Sequence, residues 1–202
     1  SKTQSAEAIE KAYHLDKLRH FGENYAQEAI DKQDSLKHLP LIWHFIGPIQ
    51  SNKTRLIAER FQWCHSLDRL KIAQRLQQQR PPGLAPLNVC IEVNIDNESS
   101  KSGLPLADLS DFVAHLRVMD RLSIRGLMVI PAPGKTAGET LDGFRLTADR
   151  LRSLKATFPE LPLDTLSMGM SADLELAIAA GSTIVRVGTD IFGARKTAPD
   201  QP

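Results

Sequence analysis

The chain has 202 residues, 42% hydrophobic and 24% charged, proportions that fit one folded domain around one sizeable core and exclude a disordered or two-domain reading. Its 25 Lys+Arg against 24 Asp+Glu leave a formal charge of +1, so no global field draws it to nucleic acid or an anionic membrane, and only a local anion site stays open. No run approaches about 18 uncharged apolar residues and no basic-then-apolar leader opens the sequence, so neither a membrane span nor export is expected.

Short β-branched runs alternate with longer stretches of helical period, the signature of βα units and a parallel sheet. In chain order the pattern predicts a helix over 5–14, a strand over 19–21, a helix over 23–36, a strand over 42–47 and a helix over 51–60. A strand over 63–66, a helix over 68–79, a strand over 89–95 and a helix over 106–118 follow. The remainder reads as a strand over 124–130, a helix over 139–157, a strand over 165–168, a helix over 172–180 closed by Gly181, and a strand over 184–187. Residues 81–83, 97–100 and 131–134 read as loops, none of them a domain linker. Cys64 and Cys90 sit in apolar or aromatic sequence, which suits buried thiols in a reducing, cytoplasmic setting rather than a disulfide framework.

Seven strands are predicted, and Ser1-Lys2-Thr3 reads as the trailing end of an eighth that precedes the first helix. Eight parallel strands with alternating helices give a (β/α)8 TIM barrel, a single α/β domain over 1–202, with an N-terminal helix and most of strand one expected ahead of residue 1. The structural alternative is a doubly wound open sheet, whose G-x-G-x-x-G fingerprint does not occur.

Functional groups of such barrels gather at the C-terminal ends of the strands. There lie Lys2, Gly22-Glu23-Asn24, His44 within its strand, Asn94, Ser167 to Ser171, and Arg186-Val187-Gly188-Thr189. Gly188-Thr189 and Met170-Ser171 set backbone N–H groups and a hydroxyl beside a following helix or turn, which suits a phosphate; Ser171 also reads as an ordinary helix N-cap. Arg186 stands in a β-branched run where an unpaired charge would be costly, so it is either functional or held in a structural ion pair. A lysine amine in a partly desolvated pocket can condense with an aldehyde, although by position alone Lys2 reads as a solvated chain end. His44, between Trp43 and Phe45, points opposite to both aromatics, as a satisfied core histidine also would. The six histidines show no metal-ligand spacing with cysteine or carboxylate, and no metal is expected. The polar helix start at 50–55 reads as a solvated face, and the loop at 97–103 as a plain loop or an anion-contacting lid.

Several strings together resemble the pyridoxal phosphate homeostasis proteins, the YggS family. They are Ser1-Lys2-Thr3, Phe21-Gly22-Glu23-Asn24-Tyr25, Trp43-His44-Phe45-Ile46-Gly47-Pro48-Ile49-Gln50-Ser51-Asn52-Lys53, the Asn97-to-Gly103 loop, Arg125-Gly126-Leu127-Met128, Leu166 to Ser171, and Val185 to Thr189 continuing to Ile191-Phe192-Gly193. The resemblance spans essentially the whole chain and implies a barrel of the alanine racemase N-terminal-domain type. It further implies pyridoxal 5′-phosphate (PLP) held as a Schiff base on Lys2, with Asn24 and His44 close to the cofactor. Ser171, Gly188 and Thr189 would receive its phosphate, and Arg186 would face the pyridine nitrogen.

A guanidinium stays protonated and cannot hand a full proton to the pyridine, which weakens the electron sink. Racemisation also needs a second base, which the racemase takes from a separate β domain. The resemblance therefore implies a PLP carrier of vitamin B6 homeostasis without substantial turnover, a monomer serving apo PLP-dependent enzymes. The alternatives are an active fold-type III PLP enzyme, such as a racemase or decarboxylase, and a barrel that binds another phosphate ester.

Overall fold

A computed structural model describes residues 1–96 and 102–193; five residues of the 97–103 loop lie outside the described part. The β-branched runs become a parallel sheet. Strands β1 (His20–Glu23), β2 (Ile42–Phe45), β3 (Trp63–Leu67) and β4 (Leu87–Asn94) lie side by side, and a short β5 (Leu104–Pro105) pairs with the end of β4. The main path continues from β4 through β6 (Leu122–Met128) and β7 (Thr165–Met170) to β8 (Ile184–Arg186), every pairing parallel. Among the described residues no ladder joins β1 to β8. Side chains from both nevertheless line one cavity, so the sheet curls into a nearly closed barrel.

Helices α1 (Ala6–Asp16), α2 (Ala26–Ser35), α3 (Thr54–Arg60), α4 (Leu70–Gln79), α5 (Leu109–Leu116), α6 (Ala137–Thr157), α7 (Leu174–Ala179) and α8 (Thr189–Phe192) occupy the crossovers. Ser5 caps α1 by accepting from Ala8 N, and Thr136 opens α6 in a reciprocal capping box with Glu139, each satisfying N–H groups the first turn leaves free. Phe61, Ile57, Ile72, Leu76, Leu116 and Phe144 fill the space between helices and sheet, all essentially inaccessible to water. The central strands β3, β4, β6 and β7 are largely buried. Trp43 and Phe45 pack outward against Phe21 and Phe61, while His44 between them points into the barrel, as the alternation predicts.

Two glycines allow close backbone approaches. At Gly47 a β-carbon would lie 2.3 Å from the Asn24 carbonyl oxygen, and at Gly126, with φ +155°, 1.8 Å from that of Thr165. The first approach seats Asn24 beside the end of β2; the second lets β6 and β7 pair.

The structure departs from the sequence reading in particular places. Lys2 lies in a turn rather than at a strand end, with Gln4 N donating to Ser1 O at 3.0 Å and Thr3 at φ +63°. The second helix begins at Ala26, because Glu23 belongs to β1 and is wholly buried. The fourth begins at Leu70, and β5 and α8 were not predicted as separate elements. Arg80, just ahead of the Pro-Pro-Gly loop, is a buried staple. Its guanidinium donates to the carbonyls of Ala58 and Phe61 at 2.7 Å each, and to that of Ala85 at 2.9 and 2.6 Å. Cys64 and Cys90 are free and buried, and burial pushes the Cys64 thiol up to about 12. No helix among the described residues is long and apolar enough to cross a membrane.

Candidate functional site

A cavity of about 710 Å³ opens among the C-terminal ends of the strands and runs down the interior between β1 and β8 as far as Trp63. Lys2, Asn24, His44, Ser171, Arg186, Gly188 and Thr189 all line it, so the residues singled out from strand-end position meet in one place. Packing explains each position. Asn24 follows β1 and is held where Gly47 leaves room for its backbone. Ser171 follows β7, and Gly188 and Thr189 lie just past β8 at the start of α8, with nothing within 4 Å of a β-carbon built on Gly188. Ser171 is not a helix cap. Asp173 occupies the N-cap position of α7, and its carboxylate accepts from Met170 N at 2.6 Å, which leaves the Ser171 hydroxyl to the cavity.

Lys2 is clamped through its neighbours. The ammonium of Lys32 donates to Ser1 O at 2.9 Å, to Glu23 Oε1 at 2.8 Å and to Glu28 Oε1 at 2.6 Å, and Thr3 N donates to the same Glu28 oxygen at 2.7 Å. The Lys2 ammonium stands 5.3 Å from the centre of the Tyr25 ring, a cation–π distance.

Arg186 enters from β8. Its Nη1 donates to Ser167 Oγ at 2.7 Å and its Nη2 to Val129 O at 3.0 Å, neutral partners that leave its charge uncompensated by direct pairing. The ion-pair alternative is thus replaced by a hydrogen-bonded seat, and burial holds its pKa below the usual guanidinium value. Beyond Ser167 the bonds continue from ring to ring: Ser167 Oγ to His65 Nδ1 at 2.7 Å, His65 Nε2 to His44 Nδ1 at 2.8 Å, and His44 Nε2 to His20 Nδ1 at 2.9 Å. Burial, reinforced by His20, lowers His44 to about 3; burial and then His44 and Arg186 hold His65 well below its ordinary value. The His44 ring stacks on Trp63, centroids 5.3 Å apart and 14° from parallel, and the Arg125 guanidinium lies 4.8 Å from the centre of the same indole.

His20, His65 and Lys32 were not picked out from the sequence, and Ser167 only as one of the polar groups at the end of its strand. A signal for the histidines existed. His44 sits opposite Gly22 on one side and Trp63 on the other, so His20 lies two residues before its partner position and His65 two after. That diagonal is the stagger a tilted barrel imposes, and it brings together histidines that all fall in predicted strands. Their nitrogens face one another rather than a common centre, and among the described residues no group of His, Cys, Asp and Glu is placed to hold a metal.

Residues 1–196 match the family model described as alanine racemase, N-terminal domain. Over 195 residues the chain is 56% identical to a pyridoxal phosphate homeostasis protein of Pseudomonas aeruginosa, covering 96% of this chain and 82% of that relative. It is 52% identical over 198 residues to the protein of that name from Escherichia coli K12, covering 96% and 83%. Among solved structures, PipY of Synechococcus elongatus PCC7942 superposes with a TM-score of 0.91 without PLP and 0.89 with PLP bound, at 44% and 42% identity, covering 96% of this chain and 90% of PipY in each case. The alanine racemase of Clostridium difficile 630 shares the fold at 14% identity and a TM-score of 0.69, with 97% of this chain covering 51% of that one. By domain match and by identity over nearly its full length, the chain belongs to the pyridoxal phosphate homeostasis proteins, within the alanine racemase N-terminal domain family.

Proposed function

We propose that this protein binds PLP as a Schiff base on Lys2 and serves vitamin B6 homeostasis as a cytoplasmic monomer that holds the cofactor for apo PLP-dependent enzymes without substantial turnover. The observation that carries the reading is the convergence, in one cavity, of a lysine amine, a guanidinium that makes no direct ion pair among the described residues and two hydroxyls beside an open glycine. The residues fit the group. When bound, PLP supplies an aldehyde, a dianionic phosphate and an electron-withdrawing pyridine ring. Lys2 Nζ is the amine for the aldehyde, and its clamped flanks restrict where that amine can reach. The Ser171 and Thr189 hydroxyls with the Gly188 backbone suit the phosphate, and Arg186 suits the pyridine nitrogen as a hydrogen-bond donor that keeps its proton. Asn24 and His44, which line the same cavity, would lie close to the ring.

The same geometry supports the absence of turnover. A proton-transfer catalyst works best with a pKa near the operating pH. His44, lowered to about 3 by burial, is too weak a base to abstract a substrate proton at neutral pH, and Arg186 is too weak an acid to supply one.

Borohydride reduction of the PLP-treated protein, followed by intact mass and peptide mapping, tests the site: a phosphopyridoxyl adduct on Lys2 is the expected result. An adduct elsewhere, or none, overturns it and returns the cavity to binding some other phosphate ester. Incubation with single L-amino acids and chiral analysis tests the rest, and sustained formation of the D form would make the protein a racemase.

A further inference from the structure

Five side chains on five strands form one continuous hydrogen-bonded row that runs from exposed His20 of β1 through His44 of β2, His65 of β3 and Ser167 of β7 to Arg186 of β8. The sense of every bond follows from its Arg186 end. A guanidinium only donates, so Ser167 Oγ accepts from Arg186 Nη1. Ser167 is fully buried, and its other partner is His65 Nδ1 at 2.7 Å, so its own proton goes there. His65 Nδ1 therefore carries no proton, and a neutral His65 bears one on Nε2, which donates to His44 Nδ1. The same step repeats from His44 Nε2 to His20 Nδ1. In the reverse arrangement Ser167 Oγ would face two donors, and its hydroxyl proton would have no acceptor in a fully buried place, which is unfavourable. A second proton on His44 or His65 would set two donors against each other.

We propose that this row is a tautomer-locked strut, in which Ser167, His65 and His44 are positioning residues that aim the Arg186 guanidinium into the cavity. The inference rests on the reading that Arg186 meets the ring nitrogen of PLP, and it assigns the residues that hold it there. The strut explains how a guanidinium with no ion pair among the described residues keeps one orientation: Val129 O fixes one nitrogen, and a hydroxyl oxygen held in place by its own bond to the imidazole row fixes another. Trp63, stacked beneath His44, keeps the middle ring from turning.

The first arm of the test needs no cofactor. Long-range ¹H–¹⁵N spectra of the ligand-free protein, assigned with single His→Gln variants, should show His44 and His65 protonated on Nε2 and bare on Nδ1. A proton on Nδ1 of His65 overturns the strut. In the second arm, His65→Gln keeps an acceptor for Ser167 and a donor for His44, whereas His65→Phe keeps neither. The His65→Phe variant should bind PLP about tenfold more weakly, the loss expected for a hydrogen bond to a charged group, with a shifted absorption band for the bound cofactor. His65→Gln should stay within about threefold of wild type. Equal weakening in both variants would mean that His65 serves packing alone. Should His65→Phe fail to fold, Ser167→Ala against Ser167→Thr makes the same comparison, with faster exchange of the Arg186 guanidinium hydrogens expected in the alanine variant and an unchanged rate refuting the proposal. Wild-type protein with the assigned tautomers but no PLP uptake would refute the cofactor reading while supporting the strut.

Discussion

The ammonium of Lys32, buried beneath α2, donates to the carbonyl oxygen of Ser1 at 2.9 Å, and so ties down the residue immediately before Lys2. Glu23, wholly buried, accepts from the same ammonium at 2.8 Å. Removing one partner of a buried pair leaves a charge without compensation, so Lys32→Ala should destabilise the fold by about 3 kcal/mol or more. The double variant Glu23→Gln/Lys32→Met should recover most of that loss in urea denaturation while still retaining PLP poorly, because the Ser1 carbonyl has lost its Lys32 donor. Full retention in the stable double variant would show that the clamp does not serve Lys2.

Arg186→Ala is expected to weaken PLP retention more than His44→Ala. The guanidinium has two fixed contacts and a desolvated seat that water replaces poorly, whereas His44 acts on the cavity partly through its neighbours. Gel filtration of the loaded proteins with absorbance at the cofactor band decides it, and equal retention would refute the ranking.

Acid should unfold the protein through its buried imidazoles. The folded pKa of His44 lies near 3, below the ordinary 6.5, so between those values the unfolded chain binds a proton that the folded one does not. Stability is therefore full above about pH 6.5 and is lost as pH falls towards 3. His44 alone accounts for roughly 2–4 kcal/mol of that loss, and His65, shifted in the same direction, steepens it. Denaturant midpoints measured from pH 7 to pH 4 should fall more steeply in wild type than in His44→Gln.

Glu92 behaves in the opposite sense. Burial, with Asp68 adding to it, raises its pKa to about 7, so the folded state holds a proton that the unfolded chain has released above about 4.5. Its contribution is greatest at low pH and falls as pH rises through 7. Glu92→Gln should match wild type in thermal melts at pH 5 and exceed it by roughly 1–3 kcal/mol at pH 8. A stabilisation that is the same at both values would rule out the titration.

Much of the architecture was legible because it rests on local pattern. Ile42 to Gly47 and Val89 to Ile95 are β-branched or aromatic and short, the segments between them have helical period, and the order alone implies a parallel sheet. Glu23 reads from the sequence as a helix start, and its burial depends on two partners distant in the chain, the Ser1 hydroxyl and the Lys32 ammonium, that no local pattern shows. Lys2 was placed at a strand end although it lies in a turn, because Thr3 adopts a positive φ that its residue type does not advertise. The cavity-lining set emerged from strand-end position joined to family strings, each motif being contiguous. The histidine row was visible only as three histidines in consecutive predicted strands, since their meeting depends on the stagger between strands and on Ser167, 102 positions from His65. No local signal encodes a register.

The chain's two tryptophans occupy different compartments. Trp43 packs outward among the helices at 6% exposure, and Trp63 forms the floor of the cavity between the His44 ring and the Arg125 guanidinium. The molecule thus carries its own optical gauge. Emission from Trp63 should be quenched when a conjugated ligand absorbing in the near ultraviolet enters above it, while Trp43, shielded behind the sheet, reports the integrity of the helical layer. Replacing either residue by phenylalanine separates the two signals, so filling of the cavity and loosening of the shell can be followed in the same cuvette without a label.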